Sequence, residues 1–221
     1  MATRNYGQYC GLVHALELVG ERWALLVVRD LLPGPKRFTD LRRGLPRIPT
    51  NILSARLKEM EESGVVRRRV LPRPSSSVVY ELTDYGRELE DIIVPLLRWG
   101  MKSLGDPRPD DTVHASTLMI GFRLSFRPEA ARGVDATFEL HVKDAVMHVH
   151  VRDGALELGE GPAPDPDLTI ETDFKLKELL TGELTPAEAR ASGAVRTTGD
   201  PELLERFAEL FPLPPPERLA A

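Results

Sequence analysis

Residues 46–69, PRIPTNILSARLKEMEESGVVRRR, decide the fold of the first half of the chain. A turn bracketed by prolines (46–49) comes first, and Thr50 is placed to cap a helix that runs to about Ser63. Gly64 ends this helix, and three consecutive arginines follow in a run typical of a β-strand. The apolar positions of the helix recur at helical spacing and predict an inward stripe of Leu53, Leu57 and Met60.

Further helices are predicted before this segment. Residues 10–32 carry a helical stripe of apolar side chains with a break near Gly20, and the sequence PGP at 33–35 ends it. Thr39 is expected to be the N-cap of a short helix that ends near Gly44. A tight turn therefore joins this short helix to the next one.

A hairpin and a long helix are predicted after the segment. VVRRRVL (65–71) and SSVVYEL (76–82) have the composition of two β-strands, and the residues between them (72–75) form a turn. Thr83 is expected to cap a helix that runs to about Leu104, because apolar residues recur there at helical spacing.

Charge is distributed unevenly along the chain, whose formal net charge is -5 at pH 7. Residues 1–104 hold 17 basic and 12 acidic residues, whereas the rest of the chain holds 12 basic and 22 acidic residues. Residues 36–73 alone hold 11 basic and 4 acidic residues. A basic segment confined to one half predicts a polyanion-binding surface there and a different task for the acidic half.

Two helices joined by a tight turn, and then an arginine-rich hairpin, are the order of elements in a winged helix-turn-helix. We expect the 50–63 helix to present one face to the major groove of DNA, because small polar side chains near a helix N-terminus can approach base edges. That face carries Thr50, Asn51, Ser54 and Lys58. The hairpin arginines would contact the DNA backbone or a minor groove: Arg67, Arg68, Arg69 and Arg73. The alternative is an ordinary solvated helix face with arginines that only aid solubility.

Motifs throughout the first half resemble those of the HxlR-type winged-helix regulators of bacteria. The residues that carry the resemblance, in the family's order, are Cys10, Gly20–Trp23, Arg37–Leu41, Ile48–Glu61, Gly64–Arg67 and Leu82–Gly100. The match covers nearly all of residues 6–101.

The resemblance implies a homodimer that binds a double-stranded DNA operator with two-fold symmetry, most simply as a repressor. The N-terminal helix and the long helix after the hairpin would hold the dimer together. The base contacts that it implies are Thr50, Asn51, Ser54 and Arg56, with Lys58 on a phosphate. The backbone would be anchored by Arg37, Arg43 and the hairpin arginines. Trp23 and Phe38 are assigned to the core.

Cys10 is the only cysteine, so any disulfide must join two chains. The resemblance implies a thiol switch at this position in some family members. Such a thiol needs exposure and a lowered pKa, and Cys10 opens a predicted helix. The alternative is a small apolar residue that only packs.

The pattern of apolar and polar residues changes in the second half of the chain and predicts an α+β domain. The linker is predicted at 105–111, the domain at 112–211 and a tail at 212–221. An antiparallel-rich sheet is predicted from short alternating runs, which are TLMIGFRLSF (117–126), ATFELHV (136–142), AVMHVHVRD (145–153), GALELGE (154–160) and DLTIETD (167–173). Helices follow and would cover the sheet.

This half also resembles the sterol-carrier-protein type 2 fold, through residues 167–211. The resemblance implies an apolar tunnel between sheet and helices that holds a hydrophobic small molecule. The candidate lining residues are Phe122, Leu124, Phe126, Phe138, Leu140, Met147, Val149, Leu156, Phe174, Leu179, Leu180 and Phe207. The alternative for each is an ordinary core residue.

Other function classes find little support in the sequence. His148 and His150 share a strand face, but no third ligand is set by spacing, so no metal site is predicted. We expect no cofactor and no enzymatic activity, because no phosphate loop or Ser-His-Asp order is present. No apolar run reaches the roughly 18–20 residues that span a bilayer, and no secretory signal is recognised. A cytoplasmic protein is therefore expected.

Three hypotheses follow from the sequence. The first is a transcription factor modulated by a hydrophobic molecule in the acidic half. The second keeps DNA binding but makes the acidic half a structural or dimerising module, or makes Cys10 a redox switch. The third is a lipid or metabolite carrier whose winged helix contacts a protein.

Overall fold

The computed structural model describes residues 5–72, 76–105, 107–108 and 110–214. They form two compact units that divide between Leu97 and Arg98. The predicted linker, 105–111, lies a few residues beyond this division. Of the predicted tail, residues 215–221 lie outside the described residues.

The first unit has the element order of a winged helix. Its elements are α1 (Gly11–Val19), α2 (Ala24–Leu31), α3 (Phe38–Gly44), α4 (Thr50–Glu62), β1 (Val66–Val70), β2 (Val78–Leu82), α5 (Asp84–Arg87) and α6 (Glu90–Met101), the last of which continues across the division. The two strands pair in antiparallel register. We call β1 and β2 together the wing.

The core of the first unit lies where α2, α4 and the wing meet. The predicted inward stripe of α4 is confirmed, since Leu53, Leu57 and Met60 are at most 1% exposed. They pack in a core that also buries Val27, Val28, Leu31, Leu41, Val66 and Leu82. Burial of this stripe leaves the opposite face of α4 to solvent.

Helix starts differ from the predictions in two places. Thr39 and Thr50 lie inside their helices, because the extended cap positions are taken by Arg37 and Pro49. Thr83 does cap a helix, and its hydroxyl accepts a hydrogen bond from the Gly86 N–H at 3.0 Å. That helix does not run unbroken to residue 104, because it is interrupted between α5 and α6.

The second unit is a five-stranded sheet with four helices. Its elements are α7 (Ala115–Ser125), β3 (Asp135–Val142), β4 (Ala145–Arg152), β5 (Ala155–Glu160), β6 (Leu168–Thr172), α8 (Leu176–Thr181), α9 (Pro186–Ala191), β7 (Val195–Gly199) and α10 (Leu203–Leu210). The predicted strand at 117–126 is wrong, since α7 occupies it. The alternation of Phe122, Leu124 and Phe126 indicated a strand, but so short a run does not distinguish a strand from part of a helix.

The sheet has the strand order β5-β4-β3-β6-β7. Only the β3–β6 pair is parallel, which confirms the antiparallel-rich sheet. Residues that alternate along β3 and β4 fill one continuous core, among them Phe138, Leu140, Met147 and Val149. Across the described ranges, no helix is long and apolar enough to cross a membrane.

Candidate nucleic-acid interface

The exposed face of α4 carries four of the predicted DNA contacts. Thr50, Asn51, Ser54 and Lys58 are all exposed. Lys58 makes only a loose pair with Glu62, with 3.6 Å between Nζ and Oε1. The first turn of α4 follows Pro49, and its free N–H groups carry the positive end of the helix dipole. This face therefore offers short polar side chains and positive potential together.

Arg56 lies apart from that face. Its side chain is 14% exposed, and its guanidinium pairs with Glu59 on α4 and with Glu21 before α2, the latter at 3.8 Å. The structure thus does not bring Arg56 together with Thr50, Asn51 and Ser54. These two carboxylates direct the guanidinium of Arg56 toward the protein.

The two predicted arginines of α3 project into solvent. Arg37 precedes the helix, and its backbone N–H donates to Asp40 Oδ2 at 3.1 Å, which closes the first turn. Arg43 is 83% exposed and only loosely paired with Asp40, at 3.9 Å. Both guanidinium groups can therefore reach a phosphate without losing a close partner.

The wing separates its consecutive arginines. Arg67 lies opposite Glu81 in the strand register and Arg68 lies opposite Tyr80, so Arg68 is on the other face from Arg67 and Arg69. Arg67 Nε donates to Glu81 Oε1 at 2.7 Å, and Arg69 Nε donates to Oε2 at 3.1 Å. Arg73 lies outside the described residues.

Glu81 is held in its charged form by these two arginines. Burial alone would raise its pKa, but the hydrogen bonds and charges of Arg67 and Arg69 outweigh burial and lower the pKa below the ordinary value. The lowered pKa stabilises the wing at pH values above the pKa of Glu81 in the unfolded chain, which is about 4.3. That stabilisation is lost as the pH falls through the folded-state value.

Two glycines near the site allow close approaches that the sequence does not reveal. A Cβ on Gly44 would lie 2.5 Å from Oδ2 of Asp30, a buried carboxylate that pairs with Arg29. A Cβ on Gly86 would lie 2.0 Å from the backbone oxygen of Val65, at the base of the wing. Nothing in the sequence marks either contact, because each partner is distant along the chain.

Trp23 and Phe38 are both only half-buried, whereas the core was expected to enclose them. Trp23 adopts a left-handed backbone (φ 84°), and Arg22 lies over its ring at 5.2 Å. Both residues therefore sit at the margin of the core.

Cys10 is exposed and immediately precedes α1. The backbone N–H groups of Val13 and Leu12 lower the pKa of its thiol. Exposure and a lowered pKa are the two properties of a reactive thiol.

The predicted ligand-lining residues of the second unit mostly pack on one another. Eight are buried in one core, namely Phe122, Phe138, Leu140, Met147, Val149, Leu179, Leu180 and Phe207. Phe126 and Leu156 pack against that core and are partly buried. Leu124 and Phe174 are half-buried. The rings of Phe122 and Phe138 each lie 5.1–5.5 Å from that of Phe207, which is ordinary aromatic packing.

The histidines of the sheet have separate partners. His148 Nδ1 lies 3.1 Å from the Gly161 oxygen, and His150 Nδ1 lies 2.8 Å from the Thr137 hydroxyl. His141 lies 2.6 Å from Glu139, and this hydrogen bond is the main reason why the pKa of Glu139 is lowered. Within the described part of the chain, no group of three or more His, Cys, Asp or Glu side chains could hold a metal ion.

The element order and the exposed polar face of α4 define the class of winged helix-turn-helix domains. The family model of HxlR-like helix-turn-helix proteins matches residues 18–107. YvaP, an HTH-type transcriptional regulator of Bacillus subtilis (strain 168), is 39% identical over 85 residues, which are 38% of this chain and 79% of that protein. The chain belongs to the HxlR-like helix-turn-helix family.

Two further comparisons concern a single relative. The HTH-type transcriptional regulator YodB of the same organism is 36% identical over 99 residues, which are 45% of this chain and 86% of that protein. The solved structure of reduced YodB is 34% identical and covers 45% of this chain and 100% of that chain, with a TM-score of 0.40. Each match covers less than half of this chain.

The second unit has its own resemblance. A family model described as the alkyl sulfatase C-terminal region matches residues 122–217. This half of the chain is similar to that region, and the sterol-carrier-like fold stays a prediction.

Proposed function

We propose that this chain is a DNA-binding transcriptional repressor whose helix α4 enters the major groove of its operator. The observation that carries the proposal is the division of α4 into a buried apolar stripe and an exposed polar face. Asn51 and Ser54 read bases, while Lys58, Arg37 and Arg43 contact phosphates. A repressor needs only to occupy its operator, so repression is the simplest action for this arrangement.

Operator retention tests this function. A DNA fragment from beside the chain's own gene should be retained by the purified protein more strongly than a scrambled fragment of equal length and composition. A reporter driven by that fragment should rise when the gene is deleted. Equal retention of the two fragments would contradict sequence reading, and a fall in the reporter would indicate activation.

We also propose a homodimer held through α1 and α6. Leu12 and Leu16 on α1, and Ile92 and Leu96 on α6, are large apolar side chains left exposed four residues apart. The two helices border a cleft of about 160 Å³ lined largely by apolar residues of α1, α5 and the start of α6. A second copy would cover these residues and place two α4 helices on a two-fold symmetric operator.

Ile92→Glu is expected to convert the dimer to monomer, because it puts a charge on a surface that dimerisation would bury. Sedimentation velocity would measure the change, and operator affinity should fall with it. Val70→Glu is the matched control for the sedimentation measurement alone, since Val70 is similarly exposed but lies on the wing, beside the proposed DNA contact Arg68. A dimer that survives Ile92→Glu, or a wild-type monomer, would rule out this interface.

For the second unit we propose a structural role, the alternative to ligand sensing. The close packing of most predicted lining residues supports this choice, because a packed core leaves no room for a hydrophobic molecule. Native mass spectrometry of the purified protein should then show the mass of the polypeptide alone. A stoichiometric co-purified molecule would restore the ligand hypothesis.

A redox role for Cys10 is the second candidate, favoured by its exposure and its lowered thiol pKa. Mild oxidation should produce a chain of doubled mass on a non-reducing gel, and Cys10→Ser should abolish it. A wild-type chain that stays single under oxidation would exclude an intermolecular disulfide.

A further inference from the structure

We propose that Glu81 is a positioning residue of the wing, and that Arg68 is the wing arginine that contacts a DNA phosphate. The proposal rests on the DNA-binding function given above and deepens it. It divides three consecutive arginines into two roles. Arg67 and Arg69 stabilise the wing, and Arg68 binds.

The carboxylate of Glu81 uses both of its oxygens inside the wing. Oε1 accepts from Arg67, while Oε2 accepts from Nε of Arg69 and lies 3.0 Å from its Nη2. Glu81 is only 6% exposed. A buried carboxylate that loses a cationic partner is left with an uncompensated charge. Arg67 and Arg69 are therefore held in place and cannot follow the DNA backbone freely.

Arg67, Arg69 and Glu81 form a cluster whose net charge also limits how strongly it attracts a DNA phosphate. Two guanidinium groups and one carboxylate carry a net charge of about +1. A phosphate that approached Arg67 or Arg69 would meet the negative charge of Glu81 at short range. The cluster consequently attracts a phosphate less than two free arginines would.

Arg68 differs from Arg67 and Arg69 both in its position on the strand and in the charge that it presents. It lies on the opposite face of β1, across from Tyr80. Its side chain is exposed and forms no hydrogen bond or ion pair with any residue that the structure describes. Its full positive charge is thus available for a phosphate.

The salt dependence of binding tests this division, because each phosphate contact contributes about 0.9 to the slope of log affinity against log salt. Titrations with an operator fragment at several salt concentrations should show a slope reduced by about 0.9 for Arg68→Ala. Arg67→Ala is the matched control from the neighbouring position. It should keep the wild-type slope and instead lower the unfolding temperature, which Arg68→Ala should leave unchanged.

Glu81→Gln tests the positioning role with a variant of the same shape. Loss of the carboxylate charge frees Arg67 and Arg69, so binding to mixed-sequence DNA should strengthen and its salt slope should steepen. The ratio of operator affinity to mixed-sequence affinity should fall. A residue that only stabilised the fold would lower the unfolding temperature and leave the slope unchanged.

Two results would overturn the proposal. One is an equal loss of slope in Arg67→Ala and Arg68→Ala, and the other is an unchanged slope in Glu81→Gln. Salt-dependent operator binding by the wild type, combined with an unchanged slope for Arg68→Ala, would reject the wing assignment alone. Absence of any salt-dependent DNA binding by the wild type would reject the proposed function together with it.

Discussion

Gly86→Ala is expected to lower the free energy of unfolding of the first unit by about 2 kcal/mol or more. The added Cβ would lie 2.0 Å from the Val65 oxygen and 3.3 Å from a methyl group of Leu82. The Val65 oxygen belongs to the backbone, which also accepts a hydrogen bond from the Thr83 N–H at 3.1 Å. It cannot rotate away as a side chain would, so α5 and the base of the wing must separate.

Urea unfolding, followed by circular dichroism and Trp fluorescence, measures this loss. Gly11→Ala is the matched control, because Gly11 lies in α1 of the same unit and a Cβ there meets nothing within 4 Å. It should be neutral, or more stable by up to about 1 kcal/mol through helix propensity. If Gly86→Ala unfolded at the same urea concentration as wild type, the close approach of α5 to Val65 would be wrong.

Asn51→Ala is expected to reduce operator affinity by about tenfold to a hundredfold. An Asn side chain can donate to and accept from the same adenine, and a pair of such hydrogen bonds discriminates one base from the others. Asn51 is exposed, and its side chain forms no hydrogen bond with any residue that the structure describes. The substitution should therefore leave the unfolding temperature unchanged and act on DNA binding alone.

Lys58→Ala separates base reading from phosphate contact. It should weaken operator and mixed-sequence binding to a similar degree and reduce the salt slope. Asn51→Ala should instead weaken operator binding selectively and keep the slope. Fluorescence anisotropy with labelled fragments gives both quantities. If operator binding fell selectively in Lys58→Ala but not in Asn51→Ala, the roles assigned to these two residues would be reversed.

Much of the first unit could be predicted because its patterns are local. The stripe on α4 follows from helical spacing, and the separation of Arg68 from Arg67 and Arg69 follows from strand alternation. The order of helices, turn and hairpin was also visible from apolar periodicity and turn residues. Each of these depends on residues within one element.

The features that escaped prediction depend on contacts between distant residues. Arg56 was predicted at DNA, and its pairing with Glu21, which is distant along the chain, is not visible in the sequence. Both Gly44 and Gly86 are required by partners on other elements. In the second unit, α7 was mistaken for a strand because Phe122, Leu124 and Phe126 alternate along a short run.

Nuclease and hydroxyl-radical footprinting of the wild-type protein on its operator tests the central claim most directly. Two α4 helices in a symmetric dimer should protect two half-sites whose centres lie about one helical turn, or a whole multiple of it, apart. Dimethyl sulfate, which methylates guanine N7 in the major groove and adenine N3 in the minor groove, should be excluded only from the major-groove positions within each half-site. Protection of a single site, of minor-groove base edges alone, or of any DNA regardless of sequence would contradict the account.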